Sequence, residues 1–323
     1  MPEHFTGGLL GLHALTALHP GAGTALGTVD LPVQRERHTG WPNIAGSALK
    51  GILRDRMREG VVGKYKDDPV EDKDPKSRRD YANADDLVTE VFGPPTSSSS
   101  EFAGAVSVGD ARLLAYPVRS LKGVFAWVSC PAVLERLERD IAIVNKSSNL
   151  SVPRPKDASE PQVSAVDDCP CWVDKQMVLE EFDFAKGEGN PSLAAKWISD
   201  NLLPTVDSYK ATRERFLKQF VVLPDNWFTH FVRNATEVYA RIGLNYNTKT
   251  VKDGALFYQE FLPTETLMYS VIIANAARRR DSKSSASDIL SGLVAHLPPV
   301  VQIGGDETTG KGFCSTRLIT GGN

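Results

Sequence analysis

The residues able to do chemistry cluster between positions 19 and 58. His19 precedes Pro20 and Gly21, Asp30 lies between Val29 and Leu31, and Arg35, Arg37 and His38 follow. Lys50, Arg54 and Arg58 then recur every four residues, a spacing that gathers them on one face of a helix. Residues 31–60 hold six basic side chains (Arg35, Arg37, Lys50, Arg54, Arg56, Arg58) against three acidic ones (Glu36, Asp55, Glu59). The whole chain carries 37 basic and 40 acidic residues, so this positive surface is local. It admits two readings. One is a solvated helix face, the usual fate of such charges. The other is a phosphate-positioning site at a glycine-led helix N-terminus, where backbone N–H groups and the helix dipole add to the side-chain charge.

Other motifs fail the structural context they require. Gly305 to Lys311 has the glycine and lysine spacing of a P-loop, but Gly312 stands where the Mg²⁺-binding hydroxyl belongs and a strand-like run follows. What remains is a glycine-rich turn, which either closes a hairpin or approaches a phosphate backbone through its N–H groups. Gly21 to Gly27 nearly matches a dinucleotide fingerprint, yet no apolar helix follows it. Of the cysteines Cys130, Cys169, Cys171 and Cys314, only Cys169 and Cys171 are close. Their Cys-Pro-Cys spacing is tighter than a zinc pair, so free thiols in a reducing compartment are expected. His13 falls within a strand and reads as a partner of a neighbouring polar group. The N-terminus lacks a signal-peptide pattern and no apolar stretch is long enough to span a bilayer, so a cytoplasmic protein without membrane partners is expected.

Mixed elements must position these groups. Leu10, Leu12, Ala14, Thr16 and Leu18 alternate and predict a first strand over 5–18. Pro20, Pro32 and Pro42 then demand a loop. A helix over 47–58, capped by Ser47, buries Leu49, Ile52, Leu53 and Met57 and leaves Lys50, Arg54 and Arg58 on the opposite, wet face. Residues about 60–100, with a charged run at 64–80 and serines at 97–100, read as a mobile polar loop. Strands are expected over 105–130, then a helix carrying Val133, Leu134 and Leu137. Residues about 146–200 read as a polar insertion with a strand-like island at 176–184. A basic, amphipathic stretch at 208–220, strands at 238–244 and 255–262, a helix at 266–280 ending in Arg278, Arg279 and Arg280, and strands at 300–303 and 313–319 complete the chain. Strand pairs adjacent in sequence and mixed with helices predict an α+β fold, as a single domain over 1–323.

Three stretches together resemble a known family. The first runs from His19 through Val29-Asp30-Leu31, Thr39-Gly40-Trp41-Pro42 and Ile44 to Gly51. The second covers Asp110 to Ser120 and Gly123 to Val128. The third joins Gly254 to Pro263 with Ile303 to Gly312. They look like the repeated backbone RAMP subunit of type III-B CRISPR (Cmr) effector complexes, over nearly the whole chain but weakly at 60–100 and 146–200. The resemblance implies a modified ferredoxin-like, RRM-type core. It implies copies stacked in a filament along a CRISPR guide RNA, with other RAMP subunits and large and small subunits as partners. It further implies a thumb that displaces a nucleotide of the guide–target duplex, for which the polar insertion is the candidate. The implied activity is endonucleolytic cutting of single-stranded target RNA, opposite the displaced nucleotide, with the family's aspartate on Asp30. A carboxylate there can accept a 2′-OH proton or hold a divalent cation, Mg²⁺ or Mn²⁺, giving a 2′,3′-cyclic phosphate. His19 matches a position near the site. Glu260 matches an acidic-then-proline segment, with Gln259 where a second acid is often found. Lys50 and Arg54, with Ser47 at the helix start, carry over as guide-RNA contacts, and Arg35, Arg37, Gly305 and Lys311 join them as RNA-binding candidates. A guide-binding scaffold without cutting is the alternative.

Overall fold

The computed structural model describes residues 5–64, 81–95, 98–144, 147–148, 150–157 and 160–321, so most of the charged run at 64–80 lies outside the described residues. In chain order the strands are β1 (Phe5–Ala14), β2 (Asn43–Ile44), β3 (Val106–Val108), β4 (Ala111–Arg119), β5 (Phe125–Ser129), β6 (Gln162–Val163), β7 (Trp172–Val173), β8 (Gln176–Leu179), β9 (Phe182–Lys186), β10 (Phe220–Val222), β11 (Glu237–Leu244), β12 (Val251–Phe261), β13 (Leu267–Asn275), β14 (Val300–Gln302) and β15 (Phe313–Thr320). The helices are α1 (Gly46–Lys64), α2 (Asp86–Phe92), α3 (Pro131–Ile143), α4 (Ser192–Leu202), α5 (Lys210–Gln219), α6 (Asp225–Asn234) and α7 (Ala286–Ala295).

The main sheet runs β10-β5-β4-β13-β1-β15-β14. Its centre, β15-β1-β13-β4, is antiparallel at every pairing. Helix α1 follows β1 and α7 follows β13. That is the strand order and helix placement of a ferredoxin-like core, as expected. The last eight residues of β1 are all buried, because the strand is central and covered on both faces. Gly11 lets α4 approach: a Cβ there would lie 2.3 Å from the Leu202 carbonyl oxygen. His13 does meet polar groups, bonding Tyr209 Oη at 3.0 Å and Glu265 at 2.9 Å. All four cysteines are free and buried.

Three expectations need correction. Residues 267–275 form strand β13, not a helix. The run is apolar and β-branched at Val271, Ile272 and Ile273, and pairing with β1 and β4 buries most of it, which erases the alternation that marks a strand. The segment 60–100 is not simply a polar loop. Helix α1 continues to Lys64, and α2, capped by the Asp85 carboxylate on the Val88 N–H, buries Val88, Val91 and Phe92. The described residues of 146–200 pack onto the core. Their strands β6-β9-β8-β7 form a small sheet whose Val163, Met177, Leu179 and Phe184 belong to the main hydrophobic core. Ser164 pairs with Val222, and Glu180 N–H donates to the Arg119 carbonyl, which ties this sheet to both β10 and β4.

Among the described residues, the hairpin β11–β12 stands apart from the main sheet. Its strands pair with each other as a separate two-stranded sheet, and Ile242, Leu244, Tyr246, Val251, Leu256 and Phe257 are exposed along it. Among the described residues no helix is long and apolar enough to cross a membrane.

Candidate nucleic-acid interface and acidic site

Two loops and the base of the hairpin converge at the end of β12. The loop after β1 adds a short parallel bridge between Leu31 and Gln259. Asp30 is half-buried there, and its Oδ2 accepts a 2.7 Å hydrogen bond from the Tyr258 N–H. The Asp30 and Leu31 N–H groups donate back to the Tyr258 carbonyl at 3.1 and 3.0 Å. Proline-rich, irregular chain can hold this position only because the β12 backbone supplies partners for its own backbone groups.

Glu260 and His19 are buried at 6% exposure each, and both face inward. The Glu260 carboxylate accepts from Arg35 Nη2 at 2.5 Å and from the Val33 N–H at 2.9 Å. His19 Nδ1 donates to the Glu260 carbonyl at 2.6 Å, and its ring tilts against Phe261. The His19 carbonyl in turn accepts the Gly305 N–H at 3.1 Å. Gly304 must be glycine: φ is +81° and a Cβ would sit 2.2 Å from the His19 carbonyl oxygen. The structure thus brings Asp30, His19, Glu260 and Gly305 together, with only Asp30 among the three candidate catalytic residues open to solvent.

The basic candidates divide. Arg35 is committed inside, donating to Gly40 and Val232 carbonyls as well as to Glu260. Arg37 is exposed. Lys50 and Arg54 are not on the wet face, which instead carries Ser47, Ala48, Gly51 and Asp55. They flank it, half-buried, with Lys50 Nζ 3.4 Å from the Val106 carbonyl and Arg54 Nη2 3.0 Å from that of Gly93. Burial, then the neighbouring Arg54 and Arg278, holds the Lys50 ammonium below its ordinary pKa. Burial and Arg58 do the same to Arg54. These are cations gathered against their own repulsion, an arrangement that an anion relieves. Ser47 is exposed and one residue inside the helix. The first turn is held instead by the Ala45 carbonyl and by Asp110, whose Oδ1 accepts the Gly46 N–H at 2.7 Å. Lys311 lies over the Tyr239 and Phe261 rings, 5.0 and 5.4 Å from their centroids.

The donor set limits how a cation could bind. Among the described residues no three His, Cys, Asp or Glu side chains group to hold a metal ion. Glu260 is spent on Arg35 and Val33, and Asp306 on Gln259 and Arg241. Asp30 keeps a half-exposed carboxylate, which fits Mg²⁺ in its common mode of one or two carboxylates completed by phosphate oxygens and water.

Sequence reasoning missed Tyr258, Arg241 and Asp306. Tyr258 acts through its backbone, which no side-chain motif reveals. Gln259 replaces an expected acid, and it donates to Asp306 Oδ2 at 2.6 Å. The pairing spans 47 residues, with no local signal.

Comparison with known proteins agrees with this layout. The RAMP superfamily profile matches residues 12–315. The CRISPR system Cmr endoribonuclease Cmr4 of Pyrococcus furiosus is 36% identical over 313 residues, covering 96% of this chain and 95% of that one. The crystal structure of oligomeric Cmr4 from Pyrococcus furiosus superposes with a TM-score of 0.66 at 29% identity, covering 98% and 99% of the two chains. A chain of the type III-B Cmr-beta complex bound to cognate target RNA shares the fold, with a TM-score of 0.67 at 20% identity and 98% of each chain covered. The chain therefore belongs to the RAMP superfamily, among the subunits of the Cmr4 type.

Proposed function

We propose that this chain is the repeated backbone subunit of a CRISPR RNA-guided complex and that it cuts complementary target RNA at Asp30. The Pyrococcus furiosus relative is named an endoribonuclease of the Cmr system and crystallises as an oligomer, which supports both the cutting and the self-association. Copies of the chain line up along the guide RNA, joined by other RAMP subunits and by the large and small subunits. The observation that carries the reading is the place of Asp30: a half-exposed carboxylate, oriented by the Tyr258 N–H, at the foot of the hairpin β11–β12.

The hairpin takes the thumb role first given to 146–200. Its exposed Leu256, Phe257 and Tyr246 give it apolar and aromatic surface on which displaced bases can stack. A-form geometry keeps a 2′-OH out of line with the adjacent phosphate, and splaying one nucleotide brings it into line. Asp30 accepts the 2′-OH proton as the 2′-oxygen–phosphorus bond forms. The bond from phosphorus to the 5′-oxygen breaks as that oxygen takes a proton from water, leaving a 2′,3′-cyclic phosphate and a 5′-hydroxyl. A divalent ion, Mg²⁺ or Mn²⁺, held by Asp30 and RNA phosphates would supply charge stabilisation at the phosphate. His19 and Glu260 act as positioning residues, since both are buried and bonded inward. Lys50, Arg54, Arg37 and the exposed start of α1 face guide phosphates, and Gly305 and Lys311 border the site.

The non-catalytic scaffold has one observation in its favour: the Asp30–Tyr258 hydrogen bond is itself architectural. Reassembly of the complex with guide RNA and Asp30→Ala protein separates the readings. The cutting subunit predicts target binding without cutting. The scaffold predicts that cutting, where present, is unchanged. Parallel reactions in Mg²⁺, Mn²⁺ and EDTA test the cation.

A further inference from the structure

We infer that Asp306, in the glycine-rich loop, is a positioning residue for the cutting site and acts through Gln259; this rests on the ribonuclease reading above. Both oxygens of its carboxylate are engaged by the hairpin. Oδ2 accepts from Gln259 Nε2 at 2.6 Å, and Oδ1 lies 3.2 Å from Arg241 Nη2. Gln259 pairs across the hairpin with Tyr239, and Arg241 is two residues further along the same strand, so all three share one face. The loop residue adopts an unfavourable backbone to reach them: Asp306 is left-handed, with φ 65° and ψ 30°. Its carbonyl is also tied down, accepting the Thr309 and Lys311 N–H groups at 3.0 and 3.2 Å.

Strand alternation puts Gln259 on the side of the glycine-rich loop and the Glu260 side chain on the side of the 30–35 loop. The end of β12 is thus gripped from both sides. Tyr258, whose N–H orients Asp30, is the next residue to Gln259. Releasing the Asp306 grip lets β12 shift and carries the Asp30 carboxylate with it. An acid at 259 would set two carboxylates 2.6 Å apart, so the amide is what allows the grip.

The test uses the full complex reconstituted with guide RNA and three proteins: Asp306→Asn, Gln259→Glu and the double variant. Asparagine tolerates the left-handed backbone, so the first change leaves the loop; it keeps only a neutral amide–amide bond to Gln259 and removes the charge that strengthens that bond and holds Arg241. The double variant restores an amide–carboxylate hydrogen bond with donor and acceptor exchanged. Each single change is expected to slow single-turnover cutting by roughly 10-fold or more, with target affinity unchanged, and the double variant to recover most of the rate. Wild-type cutting by Asp306→Asn, or a double variant no faster than Asp306→Asn alone, would overturn the inference. Target binding without any cutting by the wild-type complex would instead sink the ribonuclease reading beneath it.

Discussion

The Tyr258 N–H donates to Asp30 Oδ2 at 2.7 Å, and the Asp30 N–H donates to the Tyr258 carbonyl at 3.1 Å, so the half-exposed candidate acid is tied to the foot of the hairpin by a reciprocal pair. This coupling of a reactive group to the hairpin has separable consequences.

Asp30→Asn keeps an oxygen to accept the Tyr258 N–H but removes the base. Cutting should fall by about 10²–10⁴-fold with an unchanged melting temperature. Asp30→Ala should lose cutting to the same degree and also lose about 1 kcal/mol of stability with the hydrogen bond. Paired cleavage and thermal-melting measurements check this.

Glu260→Gln breaks a pair in which the carboxylate is 8% and Arg35 22% exposed. Removing one partner of a buried pair costs about 3–5 kcal/mol. Denaturant unfolding should show a loss approaching that range, and Arg35→Lys should not substitute, because the guanidinium serves Glu260, Gly40 and Val232 at once. A Glu260→Gln protein of full stability that fails to cut would instead make Glu260 a reacting group.

Lys50→Ala should weaken guide binding for every sequence alike and lower the slope of log affinity against log salt by about one. Filter binding across a salt series reads both. A sequence-dependent loss would contradict a phosphate contact.

Gly304→Ala places a Cβ 2.2 Å from the His19 carbonyl oxygen at φ +81°, whereas Gly310→Ala, at φ +77°, meets open space. Both carry backbone strain of about 1–3 kcal/mol, and only the first adds a clash with the loop that bears His19. Thermal melting should therefore rank Gly304→Ala below Gly310→Ala.

Much of the scaffold was legible in the sequence because local patterns match local structure. The alternation from Leu10 to Leu18 marks the first strand, although β1 ends at Ala14, and Leu49, Leu53 and Met57 mark the buried stripe of α1. Strand β13 was not legible, since a strand covered on both faces has an apolar run with no period and can be read as a helix. Helix α7 was overlooked although its capping box, Ser285 with Asp288, is written in the sequence. Asp30 was found through resemblance. Its partners were not, because Arg35 with Glu260 and Gln259 with Asp306 join residues far apart along the chain, and Tyr258 contributes only its backbone.

The most direct test of the central claim is target-RNA cleavage by the reconstituted complex carrying wild-type or Asp30→Asn chain, with product ends identified and target binding measured alongside. The account predicts regularly spaced products ending in 2′,3′-cyclic phosphate from the wild type, and bound but intact target from the variant. Full cutting by the Asp30→Asn complex would contradict it.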